Sequence, residues 1–368
     1  MSHVQPRPAR PGTRHRITLA LEGGGTLGAF TWGVLDRLVD LPALEIAAVS
    51  GTSAGAMNAA MLVQGLASGG PAEAKRLLET FWHRVAIAAG SLPGPADAWL
   101  HMVGGAFAPV VEALRQTGAA WSPVARHGPN PLRGILGELL DPAVFGQPGA
   151  PVLVVAATRV RTGEARLFHG ADVTVEALLA SACLPQLFPT VEIDGEAYWD
   201  GGYASNPPVR PLIEAGAPAD VLIVRTTPLE RPETPRTAAS VHERVNEFTF
   251  GAALRQELRS LALAQKWLAD VPSLPEPMAR LRDARLHMIG AEEAFRTLQG
   301  GSAHDPTWYF LSSMRDLGHR TADRWLEENL DAIGSHSTFD LCKYAGPMLQ
   351  HDAVVPGIAV PSRPAHAA

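Results

Sequence analysis

The chain has 368 residues, of which 46% are hydrophobic and 18% are charged, and its formal net charge at pH 7 is −6. This composition is typical of a globular protein rather than a disordered one. The length allows one large domain, or one domain with an appendage. The negative net charge and the lack of a long basic block argue against nucleic-acid binding.

The N-terminal residues and the two cysteines give no sign of secretion or of a metal site. Residues 1–15 are rich in proline and arginine and lack the apolar segment of a secretory signal, which predicts a flexible tail. No apolar run approaches the ~20 residues that a membrane-spanning helix needs. Cys183 and Cys342 are far apart and lack metal-type spacing, which predicts two buried thiols. We expect a cytoplasmic protein that makes only peripheral contact with a membrane or with a lipid or polyester granule.

Strand and helix patterns alternate at the start of the chain. Residues 17–21 form an apolar run typical of a buried strand, and residues 29–41 have helical spacing. A second apolar run at residues 45–50 leads through a tight turn into a helical stretch of small residues at 54–65. This order predicts an α/β fold, in which a mainly parallel sheet is flanked by helices on both faces.

Residues 152–157 and 221–224 continue the strand patterns, and residues 166–168 are expected to pair beside the first of them. Residues 173–182 have helical spacing. These elements complete a predicted α/β domain at residues 16–228.

The pattern changes after residue 228, where proline and threonine are frequent up to residue 237. Residues 240–269 and 319–333 then have helical periodicity, and residues 286–289 fit one more edge strand. We expect a mostly helical C-terminal extension at 229–350, packed on the α/β domain, and a C-terminal tail at 351–368.

Residues 85–125 differ in composition from the rest of the chain. They hold only three charged side chains, Asp97, Glu112 and Arg115, among many Ala, Gly and Pro residues. The stretch fits either ordinary core-facing helix and loop, or a lid or wall that presents apolar surface at the mouth of a site.

A serine lies at the turn between the second strand and its helix. The sequence there is Gly-Thr-Ser-Ala-Gly at residues 51–55, with Ser53 at its centre. Glycines two places on either side let the backbone fold sharply and let a substrate carbonyl reach the hydroxyl, as in a nucleophile elbow. The pattern alone is a weak signal, and its value comes from two further motifs.

A glycine-rich run, Gly-Gly-Gly-Thr-Leu-Gly at residues 23–28, precedes the first predicted helix. Its N–H groups and the helix dipole can hold a phosphate or a transition-state oxyanion. The run also satisfies G-x-G-x-x-G, but a dinucleotide-binding fold needs an acidic residue at the end of the second strand. That strand ends here at Val49-Ser50-Gly51. An oxyanion hole is therefore favoured over dinucleotide binding and over a purely structural turn.

Residues 198–202, Tyr-Trp-Asp-Gly-Gly, supply the third motif. Because two glycines follow Asp200, we expect its carboxylate on an exposed turn that another part of the backbone approaches closely. An isolated Asp-Gly pair usually marks only a turn. Its combination with the serine turn and the glycine-rich run indicates a site.

Together these motifs resemble those of the patatin-like phospholipase family of lipid acyl hydrolases, and they occur in the family's order. The stretch from Ser181 to Pro189, which leads to Asp200, also resembles the family. The resemblance covers about residues 16–211, somewhat over half of the chain. Residues 240–345 resemble the C-terminal extension of some bacterial members.

The resemblance implies a hydrolase of lipid or other carboxylic esters that uses a Ser–Asp dyad and needs no metal or cofactor. Ser53 would be the nucleophile, and Asp200 would take its proton directly, without a histidine. The N–H groups expected to stabilise the oxyanion are those of Gly23, Gly24, Gly25 and Ala54. The glycines expected to support the motifs are Gly28, Gly51, Gly55, Gly201 and Gly202.

One position departs from the family's pattern. Members often carry Lys or Arg just before the last glycine of the glycine-rich loop, where it can meet a phosphate, whereas this chain has Leu27. If this side chain faces the substrate, neutral esters such as acylglycerols, short acyl esters or a polyester are favoured over phospholipids. The alternative is that Leu27 packs inward as the first apolar residue of its helix.

Two other interpretations stay open at the level of the sequence. An α/β-hydrolase also uses G-x-S-x-G, with an acid and then a histidine later in the chain. The histidines that follow Asp200 include His242, His287, His304, His319 and His336. That fold usually builds several strands before its nucleophile, whereas Ser53 follows the second predicted strand. The other alternative is a non-catalytic lipid-binding or scaffold role.

Overall fold

The computed structural model of the chain describes residues 14–91, 130–185, 187–228, 230–298 and 305–341. The strands in these residues are β1 (His15–Leu21), β2 (Leu44–Thr52), β3 (Val152–Arg159), β4 (Ala165–His169), β5 (Val191–Ile193), β6 (Glu196–Asp200), β7 (Asp220–Val224) and β8 (Arg285–Ile289). The helices are α1 (Gly28–Leu38), α2 (Ala54–Gly69), α3 (Pro71–Ser91), α4 (Pro131–Leu139), α5 (Val175–Ser181), α6 (Arg210–Glu214), α7 (Ala238–Leu268), α8 (Glu276–Asp283), α9 (Glu292–Thr297) and α10 (Trp308–Asn329).

The described strands form one mixed sheet of order β5-β6-β3-β2-β1-β7-β8, with β4 paired to β3. Strands β3, β2, β1, β7 and β8 are parallel to one another, whereas β4 and β6 each pair antiparallel with β3, and β5 pairs antiparallel with β6. The mainly parallel sheet is the architecture that the alternating strand and helix patterns predict.

Helices cover both faces of the sheet, as predicted. Along β1, Ile17, Leu19 and Leu21 pack into the larger apolar core, while Ala20 packs into a second core on the other face. Successive side chains of a strand point to opposite faces, so this alternation requires a helical layer on each side. Helices α1, α2, α3 and α10 contribute to the larger core, and α6 and α7 to the second.

The C-terminal part of the chain is built into the same sheet. Strand β8 pairs in parallel with β7, as the edge-strand pattern at 286–289 predicts. Helix α10 begins at Trp308 rather than near residue 319, because the Thr307 side chain caps it by accepting a hydrogen bond from the Phe310 N–H. The helix therefore reaches one face of α1 along most of its length.

Two short strands were not predicted. β5 and β6 form a hairpin whose turn consists of Asp194 and Gly195, both with positive φ. An Asp-Gly pair between apolar residues is a hairpin signal, but strands of three and five residues are too short for their periodicity to be recognised. This hairpin carries Asp200 at its end.

Several predictions fall on residues that the structure does not describe. Residues 1–13 of the predicted N-terminal tail, most of the low-charge stretch at 85–125, Cys342 and the predicted tail at 351–368 lie outside the described residues. Among the helices that are described, none is long and apolar enough to cross a membrane.

Candidate active site

Ser53 lies between β2 and α2 with a φ of 53°, in the left-handed region that side chains other than glycine rarely adopt. The two glycines of its motif allow the tight turn. A Cβ on Gly51 would lie 2.5 Å from the carbonyl oxygen of Gly55, and a Cβ on Gly55 would collide with the carbonyl of Leu21. The predicted elbow therefore has the geometry that exposes a serine hydroxyl.

The strand register brings Asp200 to this serine. On β3, Ala156 pairs with Thr52 at the end of β2, and Ala157 pairs with Asp200 at the end of β6. Because β4 occupies the other edge of β3, the ends of β2 and β6 meet on the same edge. The Ser53 hydroxyl lies close enough to the Asp200 carboxylate to lower the pKa of that group, and the carboxylate accepts a hydrogen bond from the Gly202 N–H at 2.8 Å.

The expectation that Asp200 occupies an exposed turn was wrong. The residue is the last of β6 and is 1% exposed, because the hairpin packs it beneath the following turn. This burial raises the pKa of the carboxyl to about 7, although hydrogen bonding by the Gly202 N–H and the Ser53 hydroxyl acts to lower it.

Other parts of the chain approach Gly201 and Gly202 closely, as expected for the two glycines after Asp200. A Cβ on Gly201 would collide with the carbonyl oxygen of Ala156, and one on Gly202 would collide with the ring of Phe250. Gly28 is similarly constrained, since its Cβ would lie 2.8 Å from that of Ala54. Each of these glycines lets two segments of the site pack without an intervening side chain.

The glycine-rich loop lies beside Ser53, but its first N–H is already used. Gly23 donates to the side-chain carbonyl of Asn206 at 2.7 Å, which corrects the expectation that it belongs to the oxyanion hole. Among the described residues, none accepts a hydrogen bond from the N–H groups of Gly24, Gly25 or Ala54. Gly25 has a φ of 60°, which favours glycine.

Three buried side chains that the motif search did not single out hold the loops in place. The Ser181 hydroxyl accepts a hydrogen bond from the Ser53 N–H at 2.9 Å. The Asn206 side chain holds the Gly23 N–H, as described above. The Glu22 carboxylate accepts the N–H groups of Thr226 at 2.7 Å and Thr227 at 3.1 Å, which ties the loop to the end of β7.

An apolar cavity of about 80 Å³ opens at Ser53, beside Gly25 and Ala54. Gly25, Thr26 and Ala54 form its polar end, and no described residue that lines it is charged. Its apolar wall consists of Met57, Phe81, Trp82, Val85, Leu132 and Phe188, among other residues. Such a wall suits a hydrocarbon chain whose carbonyl end lies at Ser53.

Leu27 does not face this cavity. It is 7% exposed and packs in the larger core, so the structure favours the inward-packing alternative. The absence of charge at this position therefore carries no information on the substrate's headgroup.

The described histidines do not form a triad with Ser53. His287 contacts Asp220 at 3.2 Å and the Thr338 hydroxyl at 3.0 Å, at the opposite end of the sheet. His319 pairs with Asp323, and His336 contacts Ser335. His304 and the side chain of His242 lie outside the described residues.

Within the described ranges, no group of three or more His, Cys, Asp or Glu side chains has an arrangement that could hold a metal ion. Cys183 is a free buried thiol, as expected, and burial raises its pKa to about 11. Its backbone carbonyl accepts the Asp200 N–H at 2.7 Å, so the residue helps to hold the hairpin.

A family model described as patatin-like phospholipase matches residues 19–213, more than half of the chain. The chain therefore belongs to the patatin-like phospholipase family, and the resemblance drawn from its motifs is confirmed. A comparison with curated protein sequences found no match.

Two solved structures are similar to the chain. VipD from Legionella pneumophila is 16% identical with a TM-score of 0.38, over 86% of this chain and 67% of that chain. A chain of the heterodimeric ExoU–SpcU complex from the type III secretion system of Pseudomonas aeruginosa is 18% identical with a TM-score of 0.28, over 90% and 75%. Similarities this weak carry no further argument.

Proposed function

We propose that the protein is a serine hydrolase of carboxylic esters in which Ser53 and Asp200 form a catalytic dyad. The observation that carries the proposal is the close approach of the Ser53 hydroxyl to the buried Asp200 carboxylate. The backbone N–H groups of Gly24, Gly25 and Ala54, which have no partner among the described residues, support it.

The reaction divides into two steps. Ser53 Oγ attacks the ester carbonyl while Asp200 takes the hydroxyl proton, and the free N–H groups stabilise the negative oxygen. The C–O bond to the alcohol then breaks, and Asp200 returns the proton to the leaving oxygen. Water then attacks the acyl-enzyme while Asp200 takes its proton, the bond between the acyl carbon and Oγ breaks, and Asp200 returns the proton to Ser53 Oγ, which releases the acid.

The raised pKa makes Asp200 a useful base. An ordinary carboxylate has a pKa near 4 and accepts a proton from a serine hydroxyl only weakly. Burial brings the Asp200 pKa to about 7, so the ionised carboxylate is a stronger base and is still present at neutral pH. The Ser181 hydroxyl acts as a positioning group, because it holds the Ser53 backbone N–H.

We further propose that the substrate is a lipid or another ester with an apolar acyl chain. The uncharged apolar cavity would take the acyl chain, with the carbonyl between Ser53 and the glycine-rich loop. Because no charged side chain lines the described part of this cavity, it fits the acyl chain of a neutral ester or of a phospholipid equally well and leaves the headgroup open.

Fluorophosphonate labelling and ester kinetics test the dyad. The wild-type protein should react at Ser53 and hydrolyse p-nitrophenyl esters, whereas Ser53→Ala should not react. Ser53→Ala and Asp200→Asn should each lower turnover by roughly 10³-fold or more, and the double variant should lose little more, because the two residues act as a unit.

Ser260→Ala is the matched control, since the hydroxyl of this α7 serine bonds to the Gln256 carbonyl of its own helix and not to a group of the site. Its labelling should equal that of the wild type. A folded wild-type protein that neither labels nor hydrolyses any ester would support the non-catalytic lipid-binding alternative.

A further inference from the structure

The apolar cavity at Ser53 is small for a hydrocarbon chain. Its described lining encloses about 80 Å³. An apolar cavity of ~150 Å³ takes up one benzene molecule, so the space here suits about three carbon atoms beyond the reacting carbonyl. The side chains that bound this space therefore decide which acyl groups can enter.

Trp82 of α3 has the largest side chain among the described residues of the cavity wall, and it is 3% exposed. Its six-membered ring lies beside the start of α1 and α2. A Cβ on Gly28 would lie 3.1 Å from Cζ2 and 3.2 Å from Cη2 of the indole, and 2.8 Å from the Cβ of Ala54. Because Ala54 directly follows Ser53, the ring fills space close to the position of the acyl carbonyl.

A buried hydrogen bond fixes the orientation of this ring. The Trp82 Nε1–H donates to the side-chain oxygen of Asn58 at 3.0 Å, and Asn58 is fully buried in α2. The Asn58 amide nitrogen donates in turn to the carbonyl oxygens of Gly28 at 2.9 Å and Ala54 at 3.1 Å. Rotation of the indole would leave its N–H and the Asn58 oxygen unpaired in the protein interior, which is costly. The ring is therefore a rigid wall that does not move aside for a longer chain.

We propose that Trp82 limits the length of the acyl chain, and that the preferred substrates are esters of short acyl groups, of about four carbons with the carbonyl included. The inference rests on the proposed function for the reaction itself and adds how the acyl group is selected. Leucine lacks both rings of the indole, so Trp82→Leu enlarges the cavity. Chains longer than that of the wild-type substrate should then enter.

The hydrolysis of p-nitrophenyl butyrate and p-nitrophenyl octanoate tests the proposal. In the wild type, kcat/KM should be higher for the butyrate. Trp82→Leu should raise the octanoate-to-butyrate ratio of kcat/KM by roughly tenfold or more, because a single methylene in an apolar pocket contributes at least about that factor. Trp82→Phe keeps one ring and should raise the ratio by a smaller factor, and it is the milder variant if the leucine prevents folding.

Trp32→Leu is the matched control. Trp32 of α1 is 1% exposed but does not line the cavity. Its loss should lower the melting temperature, because a buried tryptophan is removed, and should leave the octanoate-to-butyrate ratio as in the wild type. The comparison separates a change in the cavity from a general loss of packing.

Two unreactive amides separate this inference from the proposed reaction. Butanamide and octanamide carry the acyl groups of the two esters without an ester bond, and calorimetry measures their binding without turnover. Trp82→Leu should bind octanamide roughly tenfold more tightly than the wild type does, and butanamide no more tightly. A wild type that hydrolyses neither ester would contradict the proposed dyad, while the amides would still test Trp82.

A wild type that prefers the octanoate would overturn the proposal. So would an octanoate-to-butyrate ratio that neither Trp82 variant changes, or one that Trp32→Leu changes by as much as Trp82→Leu. Equal affinity of the wild type and Trp82→Leu for octanamide would do so without reference to activity.

Discussion

At the scale of the residue, Ser53 and Asp200 each have an energetically unfavourable feature, and the two residues are neighbours in the site. Ser53 adopts a strained backbone conformation, of a kind that costs on the order of 1–3 kcal/mol. Asp200 is an almost fully buried carboxylate whose ionised form is disfavoured. Both features persist because the surrounding segments hold them, through Ser181, Gly202 and Cys183.

The Asp200 pKa predicts how activity depends on pH. Only the ionised carboxylate can accept the Ser53 proton, and burial raises its pKa to about 7. The rate constant kcat/KM for a soluble ester should therefore rise with pH through about 7 and reach a plateau above it. A profile already flat from pH 5 upward would contradict Asp200 as the base.

Titration of Asp200 should have the opposite effect on the free energy of unfolding, which should fall as pH rises. Between about pH 4 and 7 the folded protein keeps a proton on Asp200 that the unfolded chain has lost, so stability falls as pH rises. The loss is on the order of 1.4 kcal/mol for each pKa unit. Asp200→Asn removes the titrating group, so urea denaturation should show its stability relative to the wild type rising between about pH 4 and 7 and staying level above pH 7.

At the scale of the element, close helix contact joins the C-terminal part of the chain to the start of the fold. A Cβ on Gly33 of α1 would collide with the carbonyl of Arg315 in α10, and a Cβ on Gly318 of α10 would collide with the carbonyl of Phe30. The two backbones touch at both glycines. This contact positions α1, and therefore the glycine-rich loop at its N-terminus.

Alanine at these contacts should destabilise the protein. Gly318→Ala and Gly33→Ala should each lower the free energy of unfolding by about 1–3 kcal/mol, because the helices must move apart. Gly134→Ala is the control, since this glycine of α4 has open space around it. It should raise stability by about 0.5–1 kcal/mol, owing to the better helix propensity of alanine. Urea denaturation curves in which Gly318→Ala matches the wild type would contradict the contact.

A second element joins the extension to the site. The Glu257 carboxylate of α7 accepts the N–H groups of Val209 at 2.8 Å and Arg210 at 2.9 Å, and the Ser205 hydroxyl at 3.2 Å. These residues continue the segment that carries Asn206 and its bond to Gly23. Helix α7 therefore supports the glycine-rich loop.

At the scale of the whole molecule, the described residues after residue 228 share a sheet and both apolar cores with the residues before it. β8 pairs with β7, α10 packs on α1, and α7 supplies leucines to the second core. Without them the edge of β7 and two apolar faces would be exposed to water.

A chain ending at residue 228 should therefore fail to fold. We expect no cooperative unfolding transition by circular dichroism and rapid digestion by a protease, because the buried apolar faces lose their partners. A chain ending at residue 350, without the predicted tail, is the control and should unfold like the full chain. A cooperative transition and ester hydrolysis by the shorter fragment would show that the extension is dispensable.

The sequence by itself determined the elements that depend on local pattern. The apolar runs of β1, β2, β3 and β7 predict buried parallel strands, because such strands are apolar on both faces. The family's three motifs also identified the residues that meet at the site, since close backbone approach leaves few alternatives to glycine.

Only the tertiary structure decided what depends on partners distant in sequence. The burial of Asp200 follows from its register on β3, the use of the Gly23 N–H from Asn206, and the inward packing of Leu27 from the core around α1. None of these contacts leaves a periodic pattern in the chain. The same reason explains the extension. Its helices and edge strand were predictable from periodicity, but the place of α10 against α1 and of β8 against β7 was set by contacts between residues about 285 and 65 positions apart, respectively.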